Sequence, residues 1–259
     1  MDYTDLHSHI AWDVDDGLQT KDEASQALEI AAKDGITTIL STPHFVPAQT
    51  TGSEAKDITN RQRELQKLAE DYGVQIYMGG EVRINDSILQ SLREGWLPLI
   101  HQGPYMLVEF GLHRDYSQQE YALDYLYELS LRKIKPVIAH VERYFFKKLD
   151  WKVLEEWKDF GYVIQVNSTS LLGYDSEASK KNAWNLIKYG YAHVIASDAH
   201  RISGARIENL SEAYAAVAKK YGEETARLLF KENPDRILAG QPVIDLPVKK
   251  RGFLFGKKR

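Results

Sequence analysis

The sequence contains no cysteine among its 259 residues. Disulfide bonds, zinc–thiolate sites and thiol nucleophiles are therefore excluded, and with them a cysteine-based phosphatase mechanism. The sequence also lacks any run near the roughly 18 apolar residues of a membrane-spanning helix, and its first five residues carry neither a positive leader nor an apolar stretch. These absences lead us to expect a cytoplasmic protein without a signal peptide.

The composition that is present is ordinary for a globular protein, with 43% hydrophobic and 27% charged residues. No internal repeat and no Ser- or Pro-rich linker interrupts the chain before residue 240. We therefore predict one domain over residues 1–240 and a tail over residues 241–259.

Charge is unevenly distributed along the chain. The net charge is -4, yet the last eleven residues hold six Lys or Arg and no acid. The acidic body disfavours nucleic acid as a partner. The basic tail, which also contains Phe253 and Phe255, either contacts anionic lipid at the inner face of the membrane, docks on an acidic partner or stays solvated.

Short apolar, β-branched runs alternate with stretches of helical periodicity, which is typical of a parallel sheet built from strand–helix units. Thr20 with Glu23, and Ser117 with Glu120, match the capping box that begins a helix. Glycines that can close a helix precede four of the runs, at Gly35, Gly73, Gly161 and Gly190. The pattern predicts an α/β barrel with seven strands, at residues 3–6, 36–41, 74–78, 105–110, 136–139, 162–166 and 193–196.

Polar side chains that can bind metal follow these strands. In a parallel α/β barrel the functional groups collect at the carboxyl ends of the strands. The candidates there are His7, His9, His44, Glu81, Glu109, His140, Glu142, Asp198 and His200, with the amide Asn167 after the sixth strand. Imidazole and carboxylate together suit zinc, iron or manganese, and several carboxylates favour a multinuclear centre because each can bridge two cations.

Six motifs carry these side chains: Asp5-Leu6-His7-Ser8-His9 with Asp15-Asp16-Gly17, Thr42-Pro43-His44, Gly80-Glu81, Val108-Glu109-Phe110, Ala139-His140-Val141-Glu142-Arg143 and Ser197-Asp198-Ala199-His200. Over residues 1–240 their order resembles the PHP (polymerase and histidinol phosphatase) superfamily. Within it they most resemble the CpsB/CapC branch of bacterial tyrosine-protein phosphatases, which act in capsule and exopolysaccharide synthesis. The resemblance implies a distorted seven-stranded, TIM-like (β/α)7 barrel, the PHP fold, that is usually activated by manganese and holds up to three metals.

The resemblance also implies roles for individual residues. The first metal would be held by His7, His9, Glu81 and Asp198, the second by Glu81, Glu109 and His140, and the third by Asp16, His44 and His200. Glu81 would then bridge two ions, while Asp13 and Asp15 rank below Asp16 as ligands. Arg143 would clamp the phosphate together with a second arginine, for which Arg206 is the first choice and Arg201 the competitor.

The chemistry expected from this set is hydrolysis of a phosphomonoester by a metal-activated water, without a covalent phosphoenzyme. A tyrosine leaving group, with a pKa of about 10, needs little help from a general acid; if one acts, it is Asp16 or His200. The expected cofactor is Mn²⁺ at two or three positions, with iron, zinc or magnesium as alternatives. The aromatic run Tyr144, Phe145 and Phe146 either contacts a substrate ring or packs in the interior.

The expected substrate is a phosphotyrosine protein, namely a membrane-associated bacterial tyrosine kinase. Three alternatives remain open. A phosphatase of the histidinol-phosphate type would use the same metals on a small molecule, and an amidohydrolase would normally have eight strands and often a bridging lysine where this chain has Glu109. A metal-binding docking module would bind manganese without hydrolysing phosphate esters.

Overall fold

The computed structural model describes residues 2–119 and 121–247. Within them lie nine strands, all paired in parallel. Their bounds are β1 Tyr3–Ser8, β2 Ile36–Ser41, β3 His44–Phe45, β4 Gln75–Met78, β5 Glu81–Arg83, β6 Tyr105–Glu109, β7 Lys135–Ile138, β8 Val163–Asn167 and β9 Val194–Ala196. They form a three-stranded sheet in the order β1-β2-β4 and a six-stranded sheet in the order β3-β5-β6-β7-β8-β9. The α/β class with parallel sheets is thereby confirmed.

Each of the seven predicted strands overlaps an observed one, and β3 and β5 are additional. Both are short continuations after a break in the preceding strand, at Thr42-Pro43 after β2 and at Gly79-Gly80 after β4. Pro43 has no N–H to donate to a sheet ladder. Gly80 is hemmed in, because a Cβ atom there would lie 2.5 Å from Cδ2 of Phe45 and 2.6 Å from Cγ of Pro98.

The first and last strands meet at their carboxyl ends. Ser8 forms an isolated parallel bridge with Ala199. The N–H of His9 donates to the carbonyl of Ala199 at 2.8 Å, and the N–H of Asp198 donates to the carbonyl of His7 at 2.8 Å. These bonds place the segment after β9 directly beside the segment that ends β1.

Helices connect the strands. They are α1 Lys21–Asp34, α2 Gly52–Glu70, α3 Ile88–Glu94, α4 Ala122–Leu131, α5 Trp151–Asp159, α6 Ser168–Leu172, α7 Glu177–Lys188, α8 Ser211–Tyr221, α9 Glu223–Arg227 and α10 Asn233–Leu238, with a π-helical turn at Leu228–Glu232. Short 3-10 turns occupy Ile100–Gln102, Tyr116–Gln118 and Val141–Arg143. No helix among the described residues is long and apolar enough to cross a membrane.

The predicted helix boundaries rest on two capping boxes and four closing glycines. The capping box of Thr20 and Glu23 is present at the start of α1. The second predicted box includes Glu120, which lies outside the described residues, and the following helix begins at Ala122 after a 3-10 turn. All four predicted closing glycines have a positive φ, with values of 92°, 67°, 73° and 73° along the chain.

The strands place apolar residues on both faces, and the candidate metal-binding side chains lie toward their carboxyl ends. The smaller of two hydrophobic clusters contains Leu107 of β6 and Val163 of β8. Because side chains on one face of a strand recur every second residue, Glu109 follows Leu107, and Gln165 and Asn167 follow Val163. The same face that is apolar at one end of the sheet is therefore polar at the other.

The chain after α10 packs against the domain as far as it is described. Residues 241–247 form no helix or strand, but Leu246 is buried and the N–H of Ile244 donates to Oδ1 of Asn233 at 2.7 Å. The predicted basic segment over residues 249–259 lies outside the described residues.

Candidate metal centre

All nine side chains predicted as metal ligands come together at the carboxyl ends of the strands. They form four overlapping groups, in each of which one ligand atom per residue lies within 4.8 Å of the others: His9, Asp16, His44 and His200; His7, His9 and Asp198; His7, Glu81 and His140; and His44, Glu81 and Glu109. Asp16 is exposed and His44 is partly exposed, while the other seven are buried. The cluster thus runs from the interior to the surface.

Glu81 occupies the centre of the cluster. Its Oε2 lies 3.4 Å from Nε2 of His7, 3.3 Å from Nε2 of His9 and 3.1 Å from Nδ1 of His44. Its Oε1 lies 2.9 Å from Nε2 of His140. Glu81 is thus a buried carboxylate that faces four imidazoles; that it bridges two cations, as the family resemblance implies, stays a prediction.

The exposed end of the cluster is formed by Asp16, His44 and His200. Oδ1 of Asp16 lies 3.3 Å from Nε2 of His44 and 3.5 Å from Nε2 of His200. These are the three residues predicted for a third metal, and His9 lies within the same group.

The donor atoms fit divalent cations. Nε2 of His7 and Nε2 of His9 are 3.2 Å apart, while the other ring nitrogens face Oε1 of Gln165 at 3.2 Å and Oδ2 of Asp15 at 2.7 Å. If each Nδ1 donates its proton to its oxygen neighbour, two unprotonated nitrogens face each other in the interior. A cation shared by such lone pairs removes their repulsion.

The electrostatic field of the cluster is negative. Burial opposes protonation of His44, but hydrogen bonds to Asp16 and Glu81 outweigh burial and raise its pKa to about 11. Burial is likewise outweighed at His9, where Asp15 and Glu81 raise the pKa to about 9. Hydrogen bonds to His200 and His44 lower the pKa of Asp16. The carboxylates therefore favour positive charge at these positions, whether protons or metal ions supply it.

Asp15 supports the cluster from outside. Its Oδ2 faces Nδ1 of His9 at 2.7 Å and accepts from the N–H of His44 at 3.0 Å, and its Oδ1 accepts from the N–H of Gly17 at 2.9 Å. Among the described residues it belongs to none of the four ligand groups. This contact with the far side of an imidazole is typical of a residue that orients a metal ligand.

Two supporting side chains were missed by sequence reasoning. Arg83 donates to Oε1 of Glu109 through Nε at 2.9 Å and Nη2 at 2.6 Å, and Gln165 faces His7 and accepts from the N–H of His140 at 2.7 Å. Both could have been predicted from their spacing, because Arg83 lies two residues after Glu81 and Gln165 lies two residues before Asn167. In a strand this spacing places side chains on one face.

Two arginines approach the cluster at Asp198. Nη1 of Arg143 lies 3.5 Å from Oδ2, and Nη2 of Arg206 donates to Oδ1 at 3.0 Å. Arg201 instead donates through Nη1 to the backbone carbonyls of Asp16 and His200, at 2.7 Å each. Arg206 rather than Arg201 therefore presents its guanidinium to the side chains of the cluster.

Glu142 is buried behind these arginines and makes no ion pair with Arg143 among the described residues. Its Oε1 accepts from Oγ of Ser170 at 2.6 Å and from the N–H of Asn167 at 3.3 Å. Burial raises the pKa of Glu142 to about 7. These contacts give Glu142 a structural position rather than a place among the ligand groups.

The chain is similar to a known protein family and to two tyrosine-protein phosphatases. A protein family described as "Capsular polysaccharide synthesis, CpsB/CapC" matches residues 3–239. The tyrosine-protein phosphatase CpsB of Streptococcus pneumoniae is 34% identical over 244 residues, which cover 92% of this chain and 98% of that protein. The tyrosine-protein phosphatase YwqE of Bacillus subtilis is 29% identical over 259 residues, which cover 97% of this chain and 98% of YwqE.

A solved structure agrees with the sequence matches. It comes from a study of YwqE from Bacillus subtilis and CpsB from Streptococcus pneumoniae, described as unique metal-dependent tyrosine phosphatases. The TM-score is 0.77 at 28% sequence identity, and the match covers 97% of this chain and 100% of the other.

Proposed function

Because the chain belongs to the CpsB/CapC family of capsular polysaccharide synthesis proteins, we propose that it is a metal-dependent tyrosine-protein phosphatase of capsule or exopolysaccharide synthesis. The proposal depends on the convergence of five imidazoles and four carboxylates on overlapping positions, with the guanidinium groups of Arg143 and Arg206 beside Asp198. This donor set suits a phosphoryl group held between cations, because the cluster supplies the metal ligands and the arginines supply the phosphate contacts.

The nine predicted ligands are proposed to hold two or three divalent cations, with manganese as the expected metal. Such cations would activate a water molecule and neutralise the charge of the phosphoryl oxygens. Arg143 and Arg206 reach Asp198 from two sides. From there, their planar guanidinium groups can each offer paired N–H donors to the phosphate oxygens.

Departure of the tyrosine oxygen requires little protonation, since the pKa of a phenol is about 10. The lowered pKa of Asp16 leaves this carboxyl ionised at neutral pH. Burial lowers the pKa of His200 as well, so the pKa shifts select neither of the two candidates for a proton donor, Asp16 and His200.

A metal add-back assay tests the proposal. Protein stripped of metal should not hydrolyse a phosphotyrosine peptide, and activity should return with manganese more than with zinc, iron or magnesium. His140→Ala should lower kcat/KM by about 100-fold or more, because a ligand beside Glu81 is lost. The matched control is His113→Ala, since His113 is exposed and outside the cluster.

The same assay separates the alternatives. A higher kcat/KM for histidinol phosphate than for the phosphotyrosine peptide would replace the proposal with a small-molecule phosphatase. Manganese binding without chelator-sensitive hydrolysis would instead indicate a docking module.

For the fold we propose that the two sheets belong to one distorted seven-stranded barrel over residues 1–240, with residues 241–259 as an appended tail. The hydrogen bonds of His9 and Asp198 that join the first and last strand ends support closure. Closure predicts that these two amides exchange with solvent as slowly as those of β6 and β7. Rapid exchange at both would favour an open sheet.

We also propose that the phosphotyrosine protein is a membrane-associated tyrosine kinase and that the basic tail brings the enzyme to the inner face of the membrane. The six basic residues of the tail support the second point, as each contributes about 1 kcal/mol near an anionic surface. The full chain should therefore sediment with vesicles that contain phosphatidylserine, and a chain that ends at residue 247 should not. Equal sedimentation of both would refute membrane contact by the tail.

A further inference from the structure

The aromatic run that follows Arg143 is divided between the interior and the surface. Tyr144 and Phe145 are buried, whereas 48% of Phe146 is exposed. The backbone of this loop is held in place, because the N–H of Phe146 donates to Oδ2 of Asp115 at 3.0 Å and the carbonyl of Tyr144 accepts from Tyr116 at 2.9 Å. Phe146 therefore presents an apolar ring to solvent from a fixed position.

The position of Phe146 matters more than its exposure, since single exposed aromatic residues are common. Phe146 lines a cavity of about 420 Å³ whose wall also includes Arg143. Leu112, Phe145 and Ala178 contribute further apolar surface to this wall. Arg143 in turn reaches Asp198 of the metal centre. Four of the eight lining residues are apolar, while Asp175, Ser176 and Ser179 add polar groups, and Arg143 makes the cavity cationic where it approaches the cluster.

We propose that this cavity binds the phenyl ring of phosphotyrosine, with Phe146 and Leu112 against the ring and Arg143 at the phosphate. The inference rests on the proposed phosphatase function and adds a subsite that selects aryl phosphates. An aromatic ring gains contact area and ring–ring attraction on such a wall. Phosphoserine has no ring to place against Phe146 and Leu112, so this wall favours phosphotyrosine.

A second, larger cavity of about 1230 Å³ adjoins the first. Phe145 and Phe146 line both cavities, and Tyr116 and Trp151 contribute to the lining of the second. We expect residues that flank the phosphotyrosine of a protein substrate to contact this second cavity.

The test compares a ligand that has the ring with one that lacks it. For the manganese-loaded enzyme we would measure KM for a phosphotyrosine peptide and the inhibition constant of inorganic phosphate. Phe146→Ala should raise the ratio of KM to this inhibition constant about fivefold, because only the peptide loses a ring contact. Phe146→Tyr keeps an aromatic ring and should restore the ratio to within twofold of the original, which corresponds to about 0.4 kcal/mol.

The matched control is Phe160→Ala. Phe160 is 45% exposed, follows α5 and stacks on Tyr162 at a centroid distance of 5.5 Å, away from both cavities. Its removal should leave the ratio unchanged.

The inference is overturned if Phe146→Ala leaves the ratio unchanged, including the case in which KM and the inhibition constant change in equal proportion. It is also overturned if Phe160→Ala raises the ratio as much as Phe146→Ala. If the unaltered enzyme fails to hydrolyse any phosphotyrosine peptide, the proposed function itself fails, which is a distinct result from normal hydrolysis with an unchanged ratio.

Discussion

At the residue scale, the contact between Asp15 and His9 determines which ring nitrogen of His9 can bind a metal. When Nδ1 donates to the carboxylate of Asp15, Nε2 keeps its lone pair and faces His7 and Glu81. The same carboxylate also holds the backbone of His44 and the turn at Gly17. Asp15 therefore orients two candidate ligands, His9 and His44, although it belongs to none of the four ligand groups among the described residues.

Asp15→Asn should weaken metal binding by about 10-fold to 100-fold, because an amide can donate to Nδ1 and leave the proton on Nε2. Competition with a fluorescent chelator measures this affinity directly. The control is Asp13→Asn, since Asp13 lies on the same loop but its side chain has only a distant ion pair with Arg61, at 3.8 Å, among the described residues. Unaltered metal affinity in Asp15→Asn would show that Asp15 does not orient His9 for metal binding.

The raised pKa values of His9 and His44, about 9 and about 11, predict how stability depends on pH without metal. A group whose pKa is raised by folding stabilises fully below its unfolded pKa, about 6.5, and this contribution is lost as pH rises through the folded pKa. Metal-free protein should therefore lose free energy of unfolding from pH 7 to about pH 8.5.

Urea unfolding at several pH values, with EDTA or with manganese, measures this effect. The dependence should be shallower with manganese, which replaces the protons as the source of positive charge. A metal-free stability that rises across the same range would contradict the assignment of these two histidines.

Eight of the nine candidate ligands were predicted because they lie at or after a predicted strand end, and Asp16 was predicted from the resemblance. Sequence reasoning put Arg206 before Arg201 but could not exclude Arg201. The choice depends on the loop after β9, where the N–H groups of His200 and Arg201 both donate to the carbonyl of Arg206, at 3.0 and 2.9 Å. This turn returns Arg206 to Asp198. Residue spacing alone does not reveal such a return.

At the scale of elements, the breaks in two strands determine where His44 and Glu81 lie. β3 and β5 begin with these residues and pair with each other, His44 opposite Glu81. Neither strand could be predicted, because two or three residues are too few to show an alternating pattern. The longer strands and the glycine-closed helices carried enough periodicity to be predicted.

The crowding at Gly80 leads to a further prediction. Gly80→Ala would place a Cβ atom 2.5 Å from the ring of Phe45 and must shift either β3 or β5. We expect a loss of about 1–3 kcal/mol in the free energy of unfolding, together with weaker metal binding. The control is Gly111→Ala, because a Cβ atom at Gly111 meets nothing within 4 Å. Equal stability of both variants would show that the breaks do not constrain the ligands.

At the scale of the whole molecule, the fold brings together residues that are far apart in sequence. Ligand candidates from His7 to His200 meet because every strand is parallel, so that all the carboxyl ends face the same way. We infer that these residues share two or three cations.

Anomalous diffraction from crystals grown with manganese tests this claim most directly. We predict two or three peaks about 3.5–4 Å apart, surrounded by the nine named side chains and with Glu81 between two of them. A single peak, or manganese bound away from these residues, would contradict it.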